Sequence, residues 1–273
     1  RQKDVRMRQL TLLFLLSISV LGYGQSGSQA NEIQKGGSLF LETGLQHTRM
    51  LDRHASPLSY AVTALQNSLG YENRKPKRLW SGHLTYSLGQ FQPANGDLPR
   101  YEFDDSQLNS YLIGFGLSYL RRWRSNENST TYLGASLTYE MMVDFEGIAN
   151  FPWLTGQGDI GLDYRREWKG KGKSIWHVAV GLPLVGHIVR QPYNFIPRRD
   201  NEEPGVGSAL AVGSKIVTWD SYQKINFEAG IAWPLSDRWT LRPTYRFQWF
   251  RYTDPKPISA YRHELVARIN YHF

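Results

Sequence analysis

The sequence contains no cysteine, and this absence removes several classes of chemistry. A chain without a thiol forms no disulfide, binds no metal through thiolate, has no cysteine nucleophile and carries no lipid anchor on cysteine. Long apolar runs are also missing, because none approaches the roughly 20 residues that a membrane-spanning helix needs. If the chain crosses a membrane, it must do so as a closed barrel, since lipid leaves open sheet edges without hydrogen-bond partners.

Familiar catalytic motifs are absent as well. The sequence has no Gly-x-Ser-x-Gly elbow and no His-Glu-x-x-His metal motif. Gly172, Lys173 and Ser174 match the end of a phosphate-binding loop, but Glu167 stands where that loop needs its first glycine, and a carboxylate would repel phosphate. We therefore predict no cofactor and no metal, and we interpret residues 169–173 as a solvated turn.

The net charge of +8 does not indicate nucleic-acid binding. Residues 1–8 contribute +3, which leaves +5 from Gln25 onward. That charge comes without a dense basic helix, a zinc-ligand spacing or an aromatic RNA-binding motif. A cationic surface beside an anionic membrane is the favoured interpretation.

The N-terminal region is typical of a secretory signal peptide. Arg8 precedes an apolar run over residues 10–21, and small residues at Gly22 and Gly24 predict cleavage after Gly24. We expect residues 1–24 to form this signal, with Met7 as the natural start and residues 1–6 as an upstream artefact. Residues 25–36 are then a short periplasmic segment, and the cell outer membrane of a Gram-negative bacterium is the predicted location.

What the sequence does contain is glycine (25), tyrosine (16) and tryptophan (9) in alternating segments. The clearest case runs from Trp239 to Trp249, where aromatic and apolar residues at odd positions alternate with polar residues such as Arg242 and Arg246 at even ones. Period two is the signature of a strand with one apolar face. These segments run to about 10–16 residues, longer than the five or six of typical globular strands and long enough for tilted membrane crossings.

We predict an all-β fold, an antiparallel up-and-down transmembrane β-barrel of about ten strands over residues 37–273. Residues 208–219 could form an eleventh strand, but we interpret them as part of a loop. The predicted strands cover residues 37–48, 58–72, 78–92, 107–124, 128–145, 153–168, 173–190, 221–235, 238–252 and 258–273.

Counting back from Phe273, placed in the periplasm, sorts the connections by length. The periplasmic set is short, whereas the outer set contains every long connection, including residues 93–106 and 191–220. This asymmetry is known for bacterial outer-membrane barrels. Six of the nine tryptophans also fall near the short turns, which is typical of an interfacial girdle: Trp80, Trp123, Trp168, Trp176, Trp233 and Trp239.

The inward faces of the predicted strands carry a set of charged and polar residues. Two interpretations stay open: a narrow polar pathway or small-ligand site, and a structural ion-pair network that plugs the lumen, which we favour because isolated charges there would be costly. The members of this set are Glu42, His83, Glu140, Asp144, Asp163, Arg165, Glu167, His177, Glu228, Arg242, Arg246, Arg262, Glu264 and Arg268.

Two stretches resemble a known family. Gly-Leu-Gln-His-Thr at 44–48 through Pro-Leu-Ser-Tyr at 57–60, and residues 233–241, are similar to outer-membrane lipid A deacylases, the acyloxyacyl hydrolases of the Bacteroidota. The resemblance implies a serine hydrolase with a His-x-Ser-Asn signature on the strand after the late turn. Here Trp249 stands for the base and Arg251 for the nucleophile, and neither can serve.

A weaker catalytic candidate is the pair His54 and Ser56. On a strand, residues two apart share a face, and Asp52 could orient the imidazole. Pro57 follows directly, however, and the predicted loop fixes neither face nor distance, so an ordinary polar loop is the favoured interpretation.

The sequence therefore supports two function hypotheses for a membrane barrel. A soluble secreted β-sandwich is the alternative fold. The first hypothesis is a non-enzymatic barrel for binding, structure or limited passage, with Tyr193, Phe195, Arg198 and Arg199 of a long outer loop as recognition residues. An alternative for this loop stays open, in which it packs on itself and caps the lumen. The second is a lipid-modifying hydrolase. Expected partners are outer-membrane lipid, lipopolysaccharide and the barrel-assembly machinery, for which Tyr271 and Phe273 form the terminal aromatic signal.

Overall fold

Alternating apolar and polar residues build a set of long antiparallel strands. In this computed structural model the described residues are 36–53, 59–94, 109–144, 153–190, 213–254 and 256–273. Within them, no helix is long and apolar enough to span a membrane. The strands are β1 (Gly36–Asp52), β2 (Ser59–Lys75), β3 (Arg78–Pro93), β4 (Asn109–Ser125), β5 (Ser129–Asp144), β6 (Trp153–Lys169), β7 (Ile175–Arg190), β8 (Ser214–Val217), β9 (Tyr222–Pro234), β10 (Trp239–Tyr252) and β11 (Ile258–His272).

The sheet closes on itself to give a barrel of ten long strands. Strand neighbours follow chain order, and the first and last strands pair from Ser38↔His272 to Asp52↔Ile258. Pairing of β6 with β7 completes the ring. The predicted fold class, an antiparallel up-and-down barrel of about ten strands, is confirmed.

The short strand β8 is not an eleventh wall strand. It pairs with the C-terminal part of β7, from Gly186↔Val217 to Val189↔Ser214. The N-terminal part of the same β7 edge pairs with β9. Our interpretation of this segment as loop is therefore wrong for Ser214–Val217. The β7–β9 ladder stops at Gly181↔Asn226, close to Pro183, which has no N–H to donate.

Strand ends also correct the prediction in two places. Strand β1 continues past Thr48 to Asp52, because both neighbours still pair with it there. Strand β2 continues to Lys75, which pairs with Arg78 across a two-residue turn. Polar residues at these ends looked like loop, but on the inward or rim-facing side of a barrel they continue the strand.

The outward face is apolar and exposed, whereas many polar side chains of the inward face are buried. Leu41, Leu69 and Leu84 on the outside are 59%, 61% and 66% exposed, whereas Glu42, Gln46 and Asn270 on the inside are each 1% exposed. A soluble protein inverts this arrangement, because it exposes charge and buries leucine. The predicted orientation of the last strand, with Leu265 and Ile269 outward and Arg262 and Arg268 inward, agrees with this pattern.

We name the two ends of the barrel by their connections. The short-turn end carries residues 76–77, 126–128, 170–174 and 235–238, and the long-loop end carries the other connections. Inside the long-loop end lies an apolar cluster that we call the outer apolar cluster. Its buried members are Met50, Tyr60, Val62, Ala64, Phe91, Ile188, Val217, Tyr222, Phe250, Tyr252, Ile258 and Ala260.

Candidate functional site: the barrel lumen

The lumen collects the charged side chains of the strands. Asp144 lies at the end of β5 with its side chain outside the described set. The other predicted lumen residues all face the interior: Glu42, His83, Glu140, Asp163, Arg165, Glu167, His177, Glu228, Arg242, Arg246, Arg262, Glu264 and Arg268.

The lowest level of charge lies near the short-turn end. Arg74 donates to both carboxylate oxygens of Glu167, at 2.7 and 3.0 Å, and to Glu72 at 3.2 Å. Arg165 donates to Glu167 at 2.8 Å, and Arg242 donates to Glu72 at 3.3 Å. Because β2 and β6 stand on far sides of the ring, the Arg74–Glu167 pair ties opposite walls together.

The middle level is centred on Arg246. This guanidinium donates to both oxygens of Glu42 at 2.6 and 2.7 Å and, from Nε, to Glu228 at 2.9 Å. Arg268 donates to Glu42 at 3.0 Å, and His177 Nε2 lies 3.0 Å from Glu228. Charge-assisted, two-point bonds of this kind are among the stronger hydrogen bonds in proteins.

The upper level joins β5 to β11, which stand opposite each other in the ring. Arg262 donates to the two oxygens of Glu140 at 2.7 and 2.9 Å, and Gln157 donates to the same carboxylate at 3.0 Å. Beside them Lys224 donates to Asp159 at 2.8 Å, with both side chains 2% exposed.

A last contact across the lumen lies at the long-loop end, beyond the outer apolar cluster. Arg190 of β7 bonds the carboxylate of Asp52 of β1 and also donates to the backbone oxygens of Asp254 and Lys256, the latter at 2.6 Å. Strands β1 and β7 are well separated around the ring, so this contact again crosses the interior.

One side of the lumen is lined by small residues. Ser81, Gly116, Ser118, Ser136 and Thr138 occupy inward positions of β3, β4 and β5, opposite the long arginines and glutamates of β1, β10 and β11. His83 folds over Gly116, where an added Cβ would meet the ring at 2.4 Å. The mismatch in side-chain size leaves a cavity of about 260 Å³ in the lumen, lined by both polar and apolar side chains.

Comparison with known proteins assigns no family to this chain and gives only low structural similarity. Neither the protein-family models nor the curated proteins match the sequence. Among solved structures, the outer membrane protease OmpT from Escherichia coli is 9% identical, with 91% of this chain and 99% of that chain covered and a TM-score of 0.47. The translocator domain of the autotransporter NalP from Neisseria meningitidis is 10% identical, with 100% and 96% covered and a TM-score of 0.42.

A third similar structure is the beta domain of the Bordetella autotransporter BrkA. It is 12% identical, with 88% of this chain and 100% of that chain covered and a TM-score of 0.42. Similarities this weak assign neither an activity nor a partner to this chain.

Several residues of the network were not predicted from the sequence. Arg74 lies where we expected a turn, and Glu72 is the last residue of the predicted strand 58–72. Neither was assigned to the lumen set, and the same holds for Asp159 with Lys224 and for Asp52 with Arg190. The alternation of apolar and polar residues along each strand does indicate that these side chains face inward. The apolar inner surface of the long-loop end was also missed, because a segment with two apolar faces shows no alternation.

Most of the catalytic and recognition candidates lie outside the described residues, and the structure does not test them. His54 and Ser56, like Tyr193, Phe195, Arg198 and Arg199, lie outside the described residues. Trp249 and Arg251 lie on the outward face of β10. One His–Ser contact does occur, between His187 Nε2 and Ser214 Oγ at 2.6 Å.

The described residues contain no group of three or more His, Cys, Asp and Glu side chains placed to hold a metal ion. Most lumen charges are instead paired acid to base by short hydrogen bonds, and Asp163 is the exception, because its side chain bonds Ser136 and forms no ion pair among the described residues. Chemically, the arrangement fixes the distance between opposite walls.

Proposed function

We propose that this chain is an outer-membrane-spanning barrel with a closed lumen and a structural or binding role. The outward surface has the dimensions that a membrane requires. Trp239 and Trp249 lie ten residues apart on the outward face of β10. With about 3.3 Å per residue and a tilt of about 40°, they are separated by roughly 25 Å along the axis, the height of the apolar band in such barrels.

The observation that carries the closed lumen is the set of ties between opposite walls. Arg74–Glu167, Glu140–Arg262 and Asp52–Arg190 cross the interior at three heights. A continuous water path would require these pairs to separate, and truncating one partner of such a pair leaves an uncompensated buried charge at a cost of several kcal/mol. The outer apolar cluster adds a dry layer between the upper and outermost ties.

The proposal places the working surface on the long outer connections. Their sequence carries Tyr193, Phe195, Arg198 and Arg199, and aromatic residues beside charges suit recognition. Lipid and lipopolysaccharide are the surrounding partners, and Tyr271 with Phe273 provides the terminal aromatic signal for the assembly machinery.

Planar-bilayer conductance tests the closed lumen. We expect the wild-type protein to insert without stable current steps, and Glu140→Ala combined with Arg262→Ala to raise the ion current, because the upper tie is removed. Lys215→Ala with Asp254→Ala is the matched control, since that ion pair is exposed at 51% and 47% and lies outside the lumen. Stable steps from the wild-type protein would overturn the proposal.

A second candidate, a lipid-modifying hydrolase, is favoured by the His187–Ser214 contact on the outer surface near the long-loop end. A serine next to an imidazole base is the start of a nucleophilic pair. Within the described residues, however, no carboxylate contacts the other ring nitrogen to orient it. Fatty-acid release from lipid A by the purified protein, abolished by Ser214→Ala, would support this candidate, and release no higher than a blank would exclude it.

A further inference from the structure

A row of three cations lies on the outward face at the short-turn end. Lys75 of β2 pairs directly with Arg78 of β3, and Arg78 pairs directly with Arg121 of β4. All three side chains are exposed and share the outward parity of their strands. We call this set the cation row.

Such a row is unfavourable in isolation. Like charges directly opposite one another on neighbouring strands repel and destabilise the pair. Within the described residues, no carboxylate forms an ion pair with any of the three, although the lumen charges of the same strands are matched closely. An anion from outside the chain would therefore relieve the repulsion among these three cations.

The position of the row indicates where that anion comes from. Trp80 and Tyr119 lie two residues nearer the barrel centre on the same outward face, and they pair with each other. Exposed aromatic residues of this kind sit at the headgroup level of a bilayer. Two residues of a tilted strand advance about 5 Å along the axis, so the cation row lies at the depth of the lipid phosphates.

The surroundings strengthen the field at this end. Among the exposed side chains described at the short-turn end, the acidic ones are Glu127 and Asp237, and the cations outnumber them: Lys75, Lys77, Arg78, Arg121, Arg122, Arg124, Arg166, Lys169, Lys171, Lys173 and Arg238. Arg124 also lies over the ring of Trp123, 5.7 Å from its centroid. Basic residues at a membrane surface attract anionic lipid.

We propose that the cation row binds the phosphodiester headgroup of an anionic phospholipid in the leaflet at the short-turn end. The three side chains span two strand spacings, about 10 Å, which suits a single headgroup. They face sideways into the lipid and not along the barrel axis, which favours a lipid over a periplasmic protein. The inference rests on the proposed membrane-spanning role and adds the lipid class to it.

The test compares the full chain with a triple variant, Lys75→Gln with Arg78→Gln and Arg121→Gln. Each protein is folded in phosphatidylcholine bilayers, with or without phosphatidylglycerol, and the lipids retained after extraction are counted by native mass spectrometry. Lys169→Gln with Lys171→Gln and Lys173→Gln is the control, because it removes the same charge from a turn. We expect the row variant to bind phosphatidylglycerol about tenfold more weakly and the control to stay near wild type.

A stability measurement on the single variant Arg78→Gln gives a second test that does not require the triple variant to fold. In phosphatidylcholine alone, Arg78→Gln is expected to unfold at the same or higher denaturant concentration, because repulsion is relieved. In phosphatidylglycerol the order reverses, because the wild-type row gains its anion. An unchanged order in the two lipids, equal losses in row variant and control, or equal protection by inorganic phosphate would overturn the proposal. Insertion of all proteins into phosphatidylcholine would leave the membrane-spanning role standing.

Discussion

Arg74 of β2 and Glu167 of β6 face each other across the barrel and are joined by two hydrogen bonds, Nη1–Oε2 at 2.7 Å and Nη2–Oε1 at 3.0 Å. The two residues are far apart in the sequence and belong to strands that share no ladder. Their contact therefore stabilises the cross-section of the barrel and not a hairpin.

Removing the arginine from this pair tests its contribution to stability. Arg74→Ala leaves Glu167, 3% exposed, beside Arg165 alone, and breaking a buried pair in this way costs about 3 kcal/mol. Urea unfolding of the protein in lipid vesicles measures the loss. The exposed pair is the control, since Lys215→Ala should leave the free energy of unfolding near that of the wild-type protein. Equal effects would contradict the role of Arg74.

Gly44 tests the packing of the closing seam. An added Cβ there would lie 2.2 Å from the carbonyl oxygen of Leu265 on the paired strand β11, so backbone must move. Gly44→Ala should destabilise the barrel by about 2 kcal/mol, as overpacking does. Gly82→Ala is the matched control, because its nearest neighbour is the flexible side chain of Leu117 at 2.9 Å. Unfolding midpoints that shift equally would show that the seam can adjust.

The pair of Lys215 and Asp254 gives a pH prediction outside the membrane-spanning segments. The hydrogen bond from Lys215 to Asp254, with the charge of that carboxylate, raises the pKa of Lys215 above its ordinary value of 10.5. Stabilisation by a cation with a raised pKa is present below the ordinary value and is lost as pH rises through the raised one. Asp254→Asn should return the pKa of Lys215 toward 10.5 in an NMR titration of labelled lysine. Identical titration curves would argue against the contact.

The C-terminal aromatic gives an assembly prediction. The ring of Phe273 stacks on the ring of Tyr71, with 6.2 Å between their centroids. The backbone N–H of Phe273 donates to the backbone carbonyl oxygen of Gly37 at 3.1 Å. Phe273→Ala should lower the fraction of chain that reaches the folded, heat-modifiable form on a gel after expression. Phe115→Ala, which removes an outward aromatic stacked on Tyr139 at 6.1 Å, is the control and should assemble normally. Equal yields from the two variants would remove any special role of the terminus.

Much of the fold could be predicted because the strand period survives along most of the chain. The run from Trp239 to Trp249 fixes face and register by alternation alone, and the observed strand differs from the prediction by a single residue at its start. Strand ends were harder. Arg49 and Asp52 look like loop residues, yet they remain paired, because the barrel extends beyond its apolar band.

The partners inside the lumen could not be predicted. Alternation shows that Glu140 and Arg262 point inward, but which arginine meets which glutamate depends on the tilt and offset of strands on opposite sides of the ring. Small residues such as Gly116 and Ser118 also decide where long side chains fit. Such size matching between distant walls leaves no local pattern in the sequence.

The interrupted ladder between β7 and β9 gives the barrel a mechanical asymmetry. The seam between β1 and β11 is paired along its full height, whereas β7 and β9 hold each other only from Ile175 to Gly181. Above that point β7 pairs with the short strand β8 from Gly186 to Val189, and Trp219 donates to the carbonyl of Pro183, so no ladder joins β7 to the upper part of β9. A barrel under lateral tension would part first at this upper stretch, so the wall has a built-in line of opening far from the place where its two chain ends meet.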